Sequence, residues 1–221
     1  RHISFDLWLT LIKSNPDFKP QRNLLFRDYF KIDKPIEEVS AVIRKFDVLT
    51  NSINEKVCRN FDTFEIYYLI LDALQVNIEQ VGLEDLQGYY FASEQLLMQH
   101  KPLLMDNEIP AMLKQLYESG KTMNILSNTA FIKGSTLRNI IKHYEMDTYF
   151  IFQAYSDETG YSKPGTEMYQ TAYNQIKKIG NIEKHEVLHI GDNAVSDYEG
   201  AIKFGFDAHL IINNTNEPKL Q

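Results

Sequence analysis

Short runs of β-branched and apolar residues stand at intervals along the chain, without a regular alternation of apolar and polar positions. Strands that are covered on both faces show this pattern, because neither face meets water. The runs predict five buried strands, at residues 2–6, 122–128, 149–154, 186–192 and 207–213.

Helical stretches lie between most of these strands. In residues 108–121 the apolar positions repeat at helical spacing, and Gly120 is a candidate C-terminal cap. Residues 131–146 and 166–180 follow the same pattern, the second closing at Gly180. The alternation of strand and helix predicts an α/β protein, with a Rossmann-like doubly wound parallel sheet and helices on both faces.

Residues 14–100 carry no strand signal. Amphipathic helices are predicted there instead, at residues 35–53, 61–76 and 83–100. We therefore expect an α/β core made of residues 1–13 and 101–221, with an all-helical cap domain, residues 14–100, inserted after the first strand. Pro16 and Pro102 mark two plausible hinges, because the residue before a proline resists helix continuation.

Composition narrows the classes of function. The chain has 221 residues, 43% of them hydrophobic, and a net charge of −7, which is typical of a folded globular protein without a general basic surface for nucleic acid. No apolar run approaches the roughly 20 residues that span a bilayer. Cys58 is the single cysteine, so no intramolecular disulfide can form. We expect a cytoplasmic protein that binds neither nucleic acid nor membrane.

Charge is unevenly distributed within the predicted cap. All Lys and Arg residues of the cap lie before residue 60, whereas residues 60–100 contain acidic residues and no Lys or Arg. Solvated helix faces would account for this. A functional alternative is that Arg22, Arg27 or Lys31 faces the core and meets an anionic substrate.

Polar residues follow the predicted strands at the ends where sites form in open parallel sheets. Asp6 ends the first strand, Ser127 and Asn128 end the second, and Asp192 follows the strand that begins at residue 186, with Asp197 five residues later. Lys163 lies in a loop rich in Gly and Pro. The three aspartates would repel one another unless a cation lay between them, which predicts Mg²⁺ held by oxygen ligands. A carboxylate nucleophile together with a metal, a hydroxyl donor and a lysine is the set of groups that phosphoryl transfer needs.

These segments resemble the four motifs of the haloacid dehalogenase-like hydrolase superfamily. FDLWLT matches the first motif, ILSNTA the second, YSKPG the third and HIGDNAVSDYEGA the fourth. The helical insertion matches the branch whose cap follows the first motif. The resemblance covers residues 1–12 and roughly 101–213.

The resemblance implies a role for each matched residue. Asp6 would be the nucleophile, forming an aspartyl-phosphate; Ser127 and Asn128 would bind the phosphoryl group, and Lys163 would neutralise charge. Asp6, Asp192, Asp197 and the backbone carbonyl of Trp8 would hold Mg²⁺. Arg27 is a candidate for binding substrate from the cap. The substrate would be a small phosphorylated molecule, and the protein a monomer or a homodimer.

Trp8 departs from the family pattern, because the second residue after the nucleophile is usually an aspartate that acts as general acid and base. Such catalysis is typically worth about 10²–10⁴-fold in rate. Three interpretations remain open. The protein is a phosphatase that uses another acid, such as Asp17 or Glu158, or acts on esters with good leaving groups; it is a haloacid dehalogenase; or it is not an enzyme and binds Mg²⁺ or a phosphorylated ligand.

Overall fold

A computed structural model describes residues 2–212. Its strands are β1 (His2–Phe5), β2 (Ile12–Lys13), β3 (Leu103–Leu104), β4 (Thr122–Ser127), β5 (Phe152–Tyr155), β6 (Val187–Gly191) and β7 (Asp207–Leu210). Five of them form one sheet in the order β5-β4-β1-β6-β7, and all its neighbouring strands are parallel. The predicted doubly wound parallel sheet is confirmed.

The helices are α1 (Phe18–Tyr29), α2 (Ile36–Val57), α3 (Thr63–Ala73), α4 (Leu83–Gln99), α5 (Ile109–Glu118), α6 (Gly134–His143), α7 (Ser156–Thr159), α8 (Thr166–Ile176) and α9 (Gly200–Phe204). A π-helical segment, Ala194–Glu199, follows β6 and leads into α9. Among residues 2–212, no helix combines the length and the apolar character that crossing a bilayer requires.

Several element boundaries differ from the sequence predictions. The strand predicted at residues 149–154 begins three residues later, because Asp147–Tyr149 forms a 3-10 turn. Helix α8 ends at Ile176, so Gly180 is not its cap, whereas Gly120 has the left-handed φ of 78° expected after α5. Strand β7 ends at Leu210, and Asn213, the end of the predicted strand, lies outside the described residues.

Residues 14–100 are helical, as the sequence predicts, and contain α1–α4 and no strand. Helix α1 was not predicted, although Phe18, Arg22 and Phe26 recur at a spacing of four and are all buried. Strands β2 and β3 pair antiparallel on either side of this insertion and tie its two connections together. The division into two domains at these connections remains a prediction.

The insertion has a hydrophobic core of its own. Phe26, Tyr67 and Tyr89 are buried, and their rings meet edge to face with centroids 5.0–6.0 Å apart. Burial of each such side chain is worth about 1.5–3 kcal/mol. Helices α1 and α2 therefore pack against α3 and α4 on one side, and their opposite faces are directed towards the sheet.

Candidate active site

The sheet brings three of the predicted site residues to one edge. Strand β1 lies between β4 and β6, with Phe5 paired to both Ile125 and Ile190. Asp6 follows Phe5 directly, and Ser127 and Asp192 come two residues after Ile125 and Ile190, so the three residues lie near one another at the carboxyl ends. This edge is also where the chain order switches direction, which is where open parallel sheets place ligands.

Lys163 joins two of the aspartates. Its side chain is 1% exposed, and its Nζ atom lies 2.8 Å from Oδ1 of Asp6 and 2.6 Å from Oδ1 of Asp197. A cation buried to this degree is tolerated when carboxylates neutralise it. The lysine thus holds the predicted nucleophile and the acid of the fourth motif on one ammonium group.

The pKa values of the two carboxyls shift in opposite directions. Burial raises the pKa of Asp6 above its ordinary value, and the charge of Lys163 only partly opposes this. Burial alone would also raise the pKa of Asp197, but the charge of Lys163 and a hydrogen bond from His189 outweigh it and hold that pKa well below the usual range. Asp197 therefore stays ionised.

His189 lies beneath the site on β6. Burial lowers its pKa, so the ring is neutral at neutral pH. Its Nε2 atom lies 3.3 Å from Oδ1 of Asp197, and Nδ1 lies 3.0 Å from the hydroxyl of Ser4. Because the carboxylate can only accept, the ring proton belongs on Nε2 and Nδ1 accepts from the serine. The sequence indicated a buried strand residue here but not this support of Asp197.

The fourth-motif loop is shaped around Asp197. The Asn193 side chain accepts hydrogen bonds from the backbone N–H groups of Val195 and Ser196, and the backbone N–H of Asn193 donates to Oδ2 of Asp197 at 2.9 Å. Gly191 passes so close that a Cβ there would overlap the Asp197 carboxyl. A glycine is therefore required where the strand turns into the loop.

Asp6, Asp192 and Asp197 form the one group of carboxylates with metal-ligand spacing that we find among residues 2–212. One oxygen from each lies within 4.8 Å of the others. Burial, followed by repulsion from Asp6 and Asp197, raises the pKa of Asp192 to about 7. Three oxygen ligands whose charges destabilise one another suit a hard divalent cation such as Mg²⁺, and the Trp8 carbonyl accepts no described backbone hydrogen bond and is available to it.

Ser127 and Asn128 make different contacts at the end of β4. Ser127 is 1% exposed, and its hydroxyl donates to the backbone carbonyl of Asn128 at 3.2 Å. The Asn128 side chain bonds both the N–H and the carbonyl of Lys163, at 2.8 and 2.9 Å. Asn128 therefore positions the lysine loop, while Thr10 donates to Oδ2 of Asp6 at 3.3 Å and orients that carboxyl.

A cavity of about 380 Å³ opens over these residues, between the sheet edge and the helical insertion. From the core it is lined by all the predicted motif residues, namely Asp6, Trp8, Ser127, Asn128, Lys163, Asp192 and Asp197. From the insertion, α2 contributes Asp47, Asn51 and Glu55, and α1 contributes Phe18, Lys19 and Arg22. The three α2 residues recur every fourth position and therefore share one face. Sequence reasoning missed them, although this spacing was visible.

The structure corrects the assignment of Arg27 to substrate binding. Arg27 does not line the cavity; its guanidinium pairs with Asp28, 2.8 Å away, at the surface of α1. Arg22, five residues earlier and on the inward face of the helix, does line the cavity. Asp17 and Glu158 also lie outside the cavity lining, and Glu158 pairs with Arg138.

Known proteins share both sequence and fold with this chain. The family model described as haloacid dehalogenase-like hydrolase matches residues 73–211. An uncharacterised hydrolase of Schizosaccharomyces pombe is 29% identical over 118 residues, which are 52% of this chain and 48% of that protein. Haloacid dehalogenase-like hydrolase domain-containing protein 3 of Xenopus laevis is 28% identical over 102 residues, which are 46% of this chain and 38% of that protein. The chain thus spans half or less of the length of the curated relatives it matches.

Solved structures with the same fold include a phosphatase of this type from Thermococcus onnurineus, with a TM-score of 0.67, 17% identity, and coverage of 99% of this chain and 89% of that one. The magnesium-bound hydrolase YfnB of Bacillus subtilis has a TM-score of 0.67 and 17% identity, covering 96% and 88%. A 2-haloacid dehalogenase of Pseudomonas syringae has a TM-score of 0.62 and 16% identity, covering 98% and 90%. At these identities the likeness shows the fold alone. With the family model matching well over half of its residues, the chain belongs to the haloacid dehalogenase-like hydrolase family.

Proposed function

We propose that this protein is a Mg²⁺-dependent phosphatase that acts on a small phosphorylated metabolite through an aspartyl-phosphate on Asp6. The observation that carries the proposal is the placement of Asp6, which shares one buried lysine with Asp197 and stands within 4.8 Å of a carboxylate oxygen of Asp192. A nucleophilic carboxylate surrounded by groups that can offset charge is the arrangement phosphoryl transfer needs.

The reaction divides into two displacements at phosphorus. In the first, an oxygen of Asp6 forms a bond to phosphorus while the bond to the ester oxygen breaks, and the alkoxide leaves and takes a proton from water. In the second, water attacks phosphorus, inorganic phosphate leaves and the Asp6 carboxylate is restored. Lys163 stabilises the negative charge on the phosphoryl oxygens, and Ser127, buried at the end of β4, donates to one of them.

Asp6, Asp192 and the carbonyl of Trp8 are the groups that would hold Mg²⁺. The Asp197 carboxylate accepts hydrogen bonds from Lys163, His189 and the N–H of Asn193, so it would support the metal from outside or through water. When bound, the ion would offset the charge of three carboxylates and of the phosphoryl group.

Trp8 lines the cavity where the family usually carries its general acid, and its indole cannot protonate a leaving alkoxide. Neither Asp17 nor Glu158 reaches the cavity to replace it. We therefore expect turnover to depend strongly on the leaving group. Phenyl and acyl phosphates, whose leaving groups need little protonation, should react faster than alkyl phosphates by roughly the 10²–10⁴-fold that acid catalysis supplies.

A dehalogenase is the second candidate, favoured by Trp8 because a departing halide needs no acid. The acidic group argues against it. Asp192 and Asp197 stand within 4.8 Å of the nucleophile and would repel the carboxylate of a haloacid unless a metal covered them. Chloride release from 2-chloropropionate, measured without added metal, would support this candidate.

Hydrolysis of p-nitrophenyl phosphate tests the proposal, with Mg²⁺ and with EDTA. Asp6→Asn is the test variant and Asp72→Asn, an exposed aspartate on α3 remote from the cavity lining, is its matched control. The proposal predicts turnover that disappears with EDTA and in Asp6→Asn and persists in Asp72→Asn. Turnover unaffected by either loss would contradict it, and no turnover would favour a protein that only binds.

A further inference from the structure

Arg22 is a buried cation in the cap wall of the cavity. The residue is 7% exposed, and its guanidinium carbon lies 4.8 Å from the ring centre of Phe131 and 6.0 Å from that of Phe18. These aromatic contacts hold the planar group in place. Phe18, Phe131 and Arg22 all line the cavity, so the guanidinium is presented to whatever binds there.

The charge of Arg22 has no counterion in the part of the chain that the structure describes. No described carboxylate lies within ion-pair distance of it. Buried cations are almost always paired with an anion. Lys163, on the opposite wall, has two carboxylates, and Arg27, on the same helix, has Asp28.

The hydrogen bonds of Arg22 are also incomplete. Nε and Nη2 both donate to the single side-chain oxygen of Asn23, at 3.2 and 2.9 Å. A guanidinium carries five N–H groups, and we find no other partner for them among residues 2–212. The remaining donors can take a carboxylate or a phosphate as a bidentate acceptor.

We propose that Arg22 binds a second anionic group of the substrate, so that the preferred substrate is a phosphoester whose organic part also carries a carboxylate or another phosphate. This inference rests on the proposed phosphatase function, which places the reacting phosphoryl group at Asp6 and Lys163. The organic part then extends from the sheet edge towards the cap, and its far anion meets the guanidinium.

The rest of the cap wall directs the anion to Arg22. Asp47, Asn51 and Glu55 line the cavity from one face of α2. Glu55 already accepts hydrogen bonds from the side chains of Asn193 and Ser196, at 3.2 and 3.1 Å. Asp47 pairs with Arg44, 3.1 Å away, so Glu55 is the carboxylate on this wall that repels an anion and accepts hydrogen bonds from hydroxyl groups. A small polyhydroxy chain with an anion at its far end complements both helices.

The cavity volume limits the ligand to a small molecule. Ligand cavities range from about 300 to 1,000 Å³, and this one, at about 380 Å³, is near the lower end. We therefore design the test with short ligands in matched pairs. In each pair one member ends in a carboxylate and the other in an alcohol of the same length: 2-phosphoglycolate with 2-hydroxyethyl phosphate, 3-phosphoglycerate with glycerol 3-phosphate, and 6-phosphogluconate with glucitol 6-phosphate.

The experiment is isothermal titration of each ligand into the full chain carrying Asp6→Asn, with Mg²⁺ present, so that binding is measured without turnover. We expect the carboxylate member to bind roughly 10- to 100-fold tighter than its alcohol partner in at least one pair, as charge-assisted hydrogen bonds allow. A bisphosphate arm, fructose 1,6-bisphosphate against fructose 6-phosphate, shows whether the site prefers phosphate to carboxylate.

Arg22→Gln, added to the same background, should abolish the preference, and Arg22→Lys should retain part of it. Arg27→Gln, on the same helix and outside the cavity, is the matched control and should leave the preference unchanged. No preference in any pair, or a preference that survives Arg22→Gln, would overturn the inference. If Arg22→Gln does not fold, the matched pairs in the parent and Arg22→Lys still decide.

The outcome separates this inference from the proposed function. Turnover of p-nitrophenyl phosphate that depends on Asp6, with no anion preference, would leave the phosphatase standing and reject the role of Arg22. An anion preference that depends on Arg22, without turnover of any phosphoester, would reject the phosphatase and retain the anion site.

Discussion

Lys163→Met should destabilise the metal-free protein far more than a surface substitution of similar size. The lysine side chain is 1% exposed, and the Asp6 and Asp197 side chains are 10% and 3% exposed. At 2.8 and 2.6 Å each attraction is worth roughly 6 kcal/mol at an effective dielectric constant of about 20, most of it offset by lost hydration. Removal of one partner from such a group costs about 3–5 kcal/mol, because charged carboxylates remain buried without a cation.

Urea unfolding in EDTA measures this cost. Lys114→Met, whose lysine is 61% exposed beside Glu118, is the control and should change the free energy of unfolding by less than about 0.5 kcal/mol. The double variant Lys163→Met with Asp6→Asn should recover about 2 kcal/mol or more, since only one charged carboxylate stays behind. Mg²⁺ should narrow the gap between Lys163→Met and the parent by supplying the missing positive charge.

The pH dependence of the cost has a definite sign. Without the lysine, the folded protein binds a proton on the buried aspartates at a higher pH than the unfolded chain does. Acidification therefore favours the folded variant, and the cost of Lys163→Met should shrink as the pH falls from about 7 towards 4. A cost equal to that of Lys114→Met, or a double variant whose effects simply add, would refute the assignment of Lys163 as the cation that holds the two carboxylates.

Three further predictions concern the missing acid, the metal and the packing of Gly191 against Asp197. Trp8→Asp should raise turnover of alkyl phosphates relative to p-nitrophenyl phosphate, by up to about 10²–10⁴-fold, and an unchanged ratio of their kcat/KM values would show that the missing acid is not limiting. Burial raises the pKa of Asp192 to about 7 in the metal-free protein, so protons compete with Mg²⁺ for this carboxylate. Calorimetry should show the affinity for Mg²⁺ falling about tenfold per pH unit below 7. An affinity for Mg²⁺ that does not change with pH would contradict this. Gly191→Ala should lower the free energy of unfolding by about 1–3 kcal/mol, measured with urea, because the added Cβ meets the Asp197 carboxyl. Gly180→Ala, where the added Cβ meets open space, should change it little, and equal effects of the two substitutions would contradict the close approach.

The sequence was most informative where chemistry is local. Asp6, Ser127 and Asp192 each follow a strand signal, and parallel strands bring their carboxyl ends to one edge whatever the rest of the chain does. Lys163 could be placed near them through its loop context, although its contact with both aspartates depends on a loop tied by Asn128.

The cap side of the cavity could not be placed in the same way. Whether Arg22 or Arg27 faces the core depends on the rotation of α1, which is set by the packing of Phe18 and Phe26 against residues distant in sequence. Helix α1 itself went unpredicted because its apolar positions are few. The sequence shows the period of a helix, but the orientation of the helix depends on long-range packing that the sequence does not show.

The most direct test of the central claim is to trap the phosphoryl group on Asp6. The protein is incubated with acetyl phosphate and Mg²⁺, quenched, reduced with borohydride and mapped by peptide mass spectrometry. We predict modification at Asp6 alone, and its loss with EDTA. Because Trp8 cannot activate water as the usual aspartate does, the intermediate should accumulate during turnover. Turnover of acetyl phosphate with no modification of Asp6, or with modification at another residue, would contradict the account.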